Sequence, residues 1–428
     1  MIATLFISFL ALLVASFPIA VSQALASLIL ISVYDVFSVP GFARGIVSGF
    51  SSFPLVAIPL FTFAGDIMGK GGISKRLIGC AKILLGNMTG GLGIVSIVAC
   101  MIFAAISGTG SATVAAIGLI MIPEMVKGGY DRSYGASLVA TAGTIGTMIP
   151  PSICMVVYAI AAGTSITAMF TAGIPVGIVV GLALCTYCYI SSKKRGYQPV
   201  KEHFTAKEIA KTLFEAIPSF AVPFIVLGGI YGGVFTPTEA AAIGCFLGII
   251  ISVFIYKEVK LFEVPYLAYR SCVISAPVLF IIGISTGFGR ILAITQMPIR
   301  IADLILGITE NAIILMIAIN LLLLLVGTFM ETNAAIIILT PILLPMVTAI
   351  GVNPVHFGMI MILNLAIGFV TPPLGANLFM ASEISQVEFG TLAKTIWPWI
   401  FIMIIVLLLV TYVPSISLFL PRMMGLRV

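Results

Sequence analysis

The chain has 428 residues, 61% hydrophobic and only 8% charged, with a mean hydropathy of +1.24 and a formal charge of +6. Ordinary soluble domains carry about 25% charged residues, so a soluble globular protein is excluded. Long continuous apolar runs exclude a transmembrane barrel of short alternating strands, and loop cations not interleaved with aromatics give no nucleic-acid surface. The expected fold class is an all-α polytopic membrane protein.

Met1 to Tyr34 carries no charged side chain. A secretory leader needs a basic first region, so residues 1–33 read as one or two retained spans rather than a cleaved leader. Further apolar runs lie near 46–64, 89–106, 112–126, 135–162 and 166–190. The runs 89–106 and 112–126 are short for a core of about 30 Å, and only Ile106-Ser107-Gly108-Thr109-Gly110-Ser111 separates them. A surface loop would satisfy that spacing. The few charges and many small hydroxyls favour a re-entrant helical hairpin over about 89–126, because irregular backbone at membrane depth must line a cavity or be buried.

The run at about 135–162 contains Gly143-Thr144-Ile145-Gly146-Thr147-Met148-Ile149-Pro150-Pro151. Adjacent prolines remove two backbone donors and clash with the preceding turn, so this segment reads as a broken helix. Gly173, Gly177 and Gly181 share one face of the next run and read as helix-packing positions, as do Gly228/Gly232, Gly229/Gly233 and Gly244/Gly248. The seven cysteines are scattered. Cys185 and Cys188 have C-x-x-C spacing, but no second pair follows and His203 is the nearest histidine, so they read as small hydrophobes rather than a metal or redox site.

Ser191 to Glu215 is the only extended hydrophilic stretch. Its Lys193, Lys194, Arg195, Lys201, Lys207 and Lys211 place it in the cytoplasm by the positive-inside rule. It reads as an amphipathic connector, 191–216, between a first half, 1–190, and a second, 217–428. In the second half, Thr236-Pro237-Thr238-Glu239 signals a helix start. The runs 311–328 and 333–350, separated by Phe329-Met330-Glu331-Thr332, read as a second hairpin over about 311–350. A second broken helix over about 357–382 contains Leu365-Ala366-Ile367-Gly368-Phe369-Val370-Thr371-Pro372-Pro373, 222 positions after the first. Trp397 and Trp399 read as interfacial anchors. Asp66, Glu124, Glu239, Arg290 and Asp303, near run ends, read mainly as caps, anchors or salt-bridge partners.

Sliding 107–151 onto 329–373 without gaps matches Ala112/Ala334, Ile120/Ile342, Pro123/Pro345, Gly129/Gly351, Ile145/Ile367, Gly146/Gly368, Pro150/Pro372 and Pro151/Pro373. Five of those eight matches are glycine or proline, the residues that fix backbone geometry. The chain therefore reads as two related halves, parallel or inverted. Paired helix breaks in two halves point to the substrate and ion site of a secondary transporter.

Ser107, Gly108, Thr109, Gly110, Ser111 and Thr113 at the first tip supply hydroxyls, flexible carbonyls and a helix start. Neutral oxygens of this kind can replace the water around a monovalent cation, while a helix start attracts an anion. The same hydroxyls also suit a plain N-cap. At the second tip, Glu331 either helps hold a cation or caps the helix that follows. One sodium ion is expected between Ser107–Thr113 and Gly146–Pro151, with Gly146 and Met148 among its neighbours. A second is expected between Thr328–Asn333 and Gly368–Pro373, involving Thr328, Glu331, Thr332, Gly368 and Thr371. An organic anion is expected between them, near Thr109, Ser111, Thr147, Pro150, Pro151, Asn333, Pro372, Pro373 and Asn377. Few acidic groups favour sodium over protons, although Glu331 and His356 leave a proton route open. Sodium is the only metal expected, as coupling ion, and no cofactor.

Gly108-Thr109-Gly110-Ser111-Ala112-Thr113, Gly146 to Pro151, Gly232-Gly233-Val234-Phe235-Thr236-Pro237-Thr238-Glu239-Ala240-Ala241 and Thr371-Pro372-Pro373 together resemble the large membrane subunit of a tripartite ATP-independent periplasmic (TRAP) transporter, of the DctM or SiaM type. The resemblance covers essentially the whole chain. It implies an inverted-repeat, elevator-type transporter and sodium-driven uptake of an organic acid, with sialic acid ahead of C4-dicarboxylates. It also implies a place in the bacterial inner membrane and two partners: a small four-helix membrane (Q) subunit and a periplasmic substrate-binding protein. No small subunit precedes this sequence, so that partner is expected as a separate polypeptide. Arg290 stands where the resemblance leads one to expect an aromatic residue.

Three rivals remain. A channel needs a continuous polar path. An intramembrane enzyme needs a catalytic constellation, and no Ser-His, His-Glu-x-x-His or paired-aspartate arrangement is present. The nearest rival is a stand-alone proton- or sodium-coupled carboxylate symporter.

Overall fold

The structure is a computed structural model that describes residues 1–15, 17–199, 205–296, 311–426 and 428. Lys201, His203 and Asp303 lie outside the described residues. Every regular element among the described residues is a helix. Among the described residues, eight helices are long and apolar enough to cross a membrane, or nine if the bent pair Phe389–Thr395 and Trp397–Tyr412 counts as one. The protein is an all-α, multi-pass membrane protein.

The first tip forms because helix Gly91–Ser107 ends on Gly108, whose φ of +65° stops the helical ladder cheaply only for glycine. Thr109 is extended, and helix Gly110–Lys127 begins at once. The second tip does without glycine. Helix Ala312–Phe329 runs into an extended Met330, and Glu331 caps helix Thr332–Ala349.

Each break follows its paired prolines. Helix Arg132–Gly143 tightens into a 3-10 turn at Thr144–Thr147, and after a cis Pro150–Pro151 bond the chain resumes as helix Ile153–Ala162. Helix Pro354–Gly368 likewise gives way to a cis Pro372–Pro373 bond and helix Ala376–Ser385. Carbonyls freed by a break need partners. Thr147 O accepts the Ser152 hydroxyl at 2.7 Å, and Phe369 O accepts the Asn377 amide at 3.0 Å.

The helices that follow the breaks cross over. Ile153–Ala162 packs on Thr332–Ala349 of the second hairpin, whereas Ala376–Ser385 packs on Gly110–Lys127 of the first. This exchange brings both tips to one place. Helix Ile166–Arg195 backs the first break. A Cβ on Gly173 would lie 2.5 Å from Met148 O, one on Gly177 2.5 Å from Ile149 Cγ1, and one on Gly181 2.7 Å from Met101 Cε, so this stripe is a packing surface as expected.

A second layer consists of helices Val39–Phe50 and Ala57–Lys70 laid along Val264–Ile294, where Gly45 meets Gly287 and Gly49 meets Gly283. Helices Ile2–Val14 and Ile19–Tyr34 join this layer through Leu5, Phe9, Leu30 and Ile31 packed with Phe288, Ile291 and Leu292. Buried Gln23 accepts the Ser285 hydroxyl at 2.7 Å.

Two expectations need correction. Trp399 is not an interfacial anchor: it is 1% exposed, packed edge-on to Tyr187 at 4.7 Å and against Tyr134 at 5.6 Å, while only Trp397 is exposed. Gly228 and Gly233 face open space, and Gly229 receives Phe235 from the following loop, so neither of those pairs packs another helix. Within the connector, helix Ile166–Arg195 runs in from one side, and Thr205 with Glu208 forms a capping box that starts helix Ala206–Tyr231 on the other.

The close approach of the second break to its hairpin sets a stability prediction. A Cβ on Gly368 would lie 2.5 Å from Gly327 Cα and collide with backbone that cannot yield. Gly368→Ala is therefore expected to destabilise the protein by about 1–3 kcal/mol, read as a lower unfolding midpoint in nanodiscs. Gly228→Ala, with nothing within 4 Å, is expected to leave the midpoint unchanged or raise it.

Candidate functional site

At the first tip, Ser107 Oγ and Thr113 Oγ1 lie 3.0 Å apart, and the Thr113 hydroxyl donates to Thr109 O at 2.8 Å. Ser107 Oγ also reaches Thr109 O, at 3.4 Å. Gly146 closes this cluster. A Cβ there would lie 2.6 Å from Thr113 Oγ1 and overlap the Thr109 carbonyl, so only glycine lets the break come so near. Gly108 touches the Pro151 carbonyl, and Gly108 O accepts Ile153 N at 3.3 Å. First tip and first break thus share one nest of neutral oxygens. Met148 is fully buried, and its carbonyl faces Gly173. Asn377 arrives from the other half: a Cβ on Gly110 would lie 3.2 Å from its Nδ2, and its Oδ1 is buried without a hydrogen-bond partner.

At the second tip, both readings of Glu331 have a counterpart in the geometry. Its carboxylate caps the helix, accepting Ala334 N at 2.9 Å and Asn333 Nδ2 at 2.8 Å, and it also faces a cavity. Thr332 Oγ1 and Asn333 Oδ1 are buried and have no partner. Buried polar atoms left unpaired cost about 1–3 kcal/mol each, so such atoms mark a place for a ligand, ion or water. Gly368 meets Gly327, which joins the second tip's helix to its break.

Both tips open on one cavity of about 600 Å³. Its wall takes Ser107, Thr109, Gly110 and Ser111 from the first tip, Thr147 from the first break, Glu331, Thr332 and Asn333 from the second tip and Phe369 from the second break. The proline pairs shape the breaks but stay out of this wall. Pro150 and Pro151 are buried, and Pro373 is exposed. Thr328 and Thr371 also stand apart, with hydroxyls donated to Leu325 O at 2.6 Å and Ile367 O at 2.8 Å in their own helices. Helix Gly110–Lys127 starts without a side-chain cap, so its first amides are open to an anion, whereas Glu331 already occupies the start of Thr332–Ala349.

The opposite wall went unrecognised in the sequence. Thr62 and Asp66 on Ala57–Lys70 and Arg270 and Ser275 on Val264–Ile294 line the same cavity. Asp66, read above as a cap or anchor, lines this cavity and also ties two helices together, its Oδ2 accepting the Ser271 hydroxyl at 2.8 Å. The available signal was Arg270, a cation set beside a long apolar run. Glu124 and Glu239 keep the structural roles expected of them, pairing with Lys127 and capping at Thr236. Arg290 donates to Ser48 Oγ at 3.2 Å, away from this cavity.

Many apolar helices, two of them broken beside a cavity that carries polar groups at both tips, are the architecture expected of a membrane transport protein. Residues 6–416 match the family described as "Tripartite ATP-independent periplasmic transporter, DctM component", and the chain belongs to that family. It is 47% identical over 95% of its length to the isethionate TRAP transporter permease protein DctMQ of Oleidesulfovibrio alaskensis, and spans 64% of that longer relative. It is 39% identical to the C4-dicarboxylate TRAP transporter large permease protein DctM of Pseudomonas aeruginosa, over 87% of each chain. It is also 35% identical to the sialic acid large permease protein SiaM of Vibrio cholerae, over 99% of each. Among solved structures, the YdaH transporter of Alcanivorax borkumensis shares the fold, with a TM-score of 0.64, 15% identity and 86% coverage of both chains. The protein is accordingly a transport subunit and not an enzyme.

His356, held open above as a proton carrier, sits elsewhere. Its Nε2 faces the Thr411 carbonyl at 3.2 Å and its Nδ1 the Ser417 hydroxyl at 2.7 Å, inside a buried network. A carbonyl only accepts, so Nε2 carries the proton and the ring is locked by structure. His356→Gln is expected to lower stability by about 1–3 kcal/mol while leaving the pH profile of uptake unchanged. A shifted profile would return His356 to the transport pathway.

Proposed function

We propose that this chain is the translocating membrane subunit of a sodium-coupled system that takes up an organic acid anion across the bacterial inner membrane. A separate small four-helix membrane subunit and a periplasmic binding protein that delivers the substrate complete the system. Family membership supports the partners, and the DctMQ name of one relative joins M with Q. The observation that carries the coupling is chemical: Ser107, Thr113, Thr109 O and Gly146 gather uncharged oxygens at one tip, and Thr332 and Asn333 leave buried oxygens unpaired at the other.

Neutral oxygens suit sodium, because a proton carrier must titrate and they do not. The first ion belongs between Ser107–Thr113 and Gly146. The second belongs at Thr332 and Asn333, near the Gly327–Gly368 contact. The anion lies between the tips, with one charged group against the open amides of Gly110 and Ser111. Both ions then reinforce anion binding by direct attraction, and inward sodium movement supplies about 2.3 kcal/mol per charge per 100 mV. The matching breaks and their exchanged packing support two inverted repeats that move as one body against the 57–70 and 264–294 helices, an elevator-type step. Relatives named for isethionate, C4-dicarboxylates and sialic acid bracket the substrate, with sialic acid the first candidate from the resemblance and C4-dicarboxylate the next.

Ser107→Ala and Thr332→Ala are each expected to raise severalfold the sodium concentration for half-maximal uptake. Unaltered sodium dependence in both would reject the tips as ion sites. Labelled sialic acid and succinate offered to proteoliposomes with the binding protein, with and without sodium, give the direct assay; uptake indifferent to sodium would reject the coupling.

A further inference from the structure

The cavity has a charge pattern that the transport reading alone does not require. Among the described residues, three ionic side chains line it: Asp66, Arg270 and Glu331. Glu331 is engaged at the start of an 18-residue helix, where the helix dipole and two donors offset its charge. Asp66 has only the Ser271 hydroxyl as a hydrogen-bond partner among the described residues. Arg270 is exposed at the cavity edge and makes no ion pair or hydrogen bond among the described residues. Since Asp66 and Arg270 stand on the same wall without joining, each keeps its charge available to a ligand.

The wall between them is ordered. Arg270, Ile274, Ser275, Pro277, Val278 and Ile281 recur on one face of the 264–294 helix, as a 3.6-residue period requires. Ser275 donates to Thr62 Oγ1 at 3.2 Å, and Ser271 donates to Asp66. The result is a narrow polar strip on an otherwise apolar wall, running from the exposed arginine inward. Across the cavity stand the uncapped start of Gly110–Lys127 and the unpaired buried oxygens of Thr332 and Asn333.

We infer that this strip is a charge filter: Arg270 and the 110–112 amides are outer and inner stations for one anionic group, and Asp66 accepts hydroxyls from the substrate while repelling a second negative group. The cavity therefore selects a hydroxylated monoanion, a carboxylate or a sulfonate, over a dianion. The reason is the fixed charge. Glu331 is offset at its helix start, whereas Asp66 has only the Ser271 hydroxyl among the described residues, so a second negative group placed beside Asp66 meets repulsion that a monoanion held at Arg270 or the 110–112 amides avoids. A hydroxyl beside Asp66 instead donates a charge-assisted hydrogen bond. This inference rests on the organic-anion reading above and refines its substrate.

The test measures equilibrium binding of labelled isethionate, sialic acid and succinate to the full chain in nanodiscs at saturating sodium and pH 7. Isethionate and sialic acid carry one charge and hydroxyls; succinate carries two charges and none. Succinate is expected to bind at least about tenfold more weakly than one of the other two, the ratio one lost charge-assisted contact gives. Asp66→Asn is expected to strengthen succinate about tenfold and narrow that gap, a gain that misfolding cannot produce. Arg270→Gln is expected to weaken all three, with partial recovery in Arg270→Lys. Succinate bound as tightly as both monoanions, an Asp66→Asn protein with an unchanged ratio, or Arg270→Gln without effect would each overturn the filter while leaving anion transport standing. If wild-type protein binds none of the three, the organic-anion reading itself fails, and the filter with it.

Discussion

A peptide group freed from its helix inside lipid has nowhere to turn except to other protein groups or to water in a cavity. That constraint organises the molecule. Paired prolines at 150–151 and 372–373 open two helices, and the freed groups are answered by Ser152, Asn377 and the hairpin backbones. Because each resumed helix packs on the opposite hairpin, neither break is buried by its own half alone. The cavity between the tips is the remainder of that arrangement, and its wall takes Thr147 and Phe369 from the breaks beside residues of both tips.

The two tips solve the same problem with different chemistry. The first uses glycines, hydroxyls and a free helix start, and so presents neutral oxygens on one side and open amides on the other. The second closes its helix start with Glu331 and leaves Thr332 and Asn333 unpaired instead. In the proposed scheme an anion sits at the first tip and a cation at the second, in addition to the cation proposed beside Gly146.

What the sequence made legible was whatever backbone geometry dictates. Gly108, Gly146, Gly368 and the proline pairs announce turns, close approaches and breaks by their own stereochemistry, and the structure places them at such points. The helix start at Thr236 was equally readable, since a capping box is local, whereas the like box at Thr205 went unread inside the connector. What could not be read was anything set by distant packing. Asp66 resembled an end-of-run anchor until the 264–294 helix placed Ser271 against it, and Arg270 drew no notice beside its apolar run. Trp399 carried an interfacial signature, yet Tyr134 and Tyr187 enclose it. The prolines drew attention to the right segments, but the wall is formed by their neighbours Thr147 and Phe369.

The central claim is that both tips face one water-filled space that substrate and sodium occupy together. Single cysteines at Ser111 and Asn333, in a background lacking Cys154 and Cys272, test it through their reaction with a small water-soluble thiol reagent in nanodiscs. Both positions are expected to react readily in the empty protein and to be protected together when sodium and the substrate anion are added. Reaction at one position only, or protection of one without the other, would contradict a shared cavity.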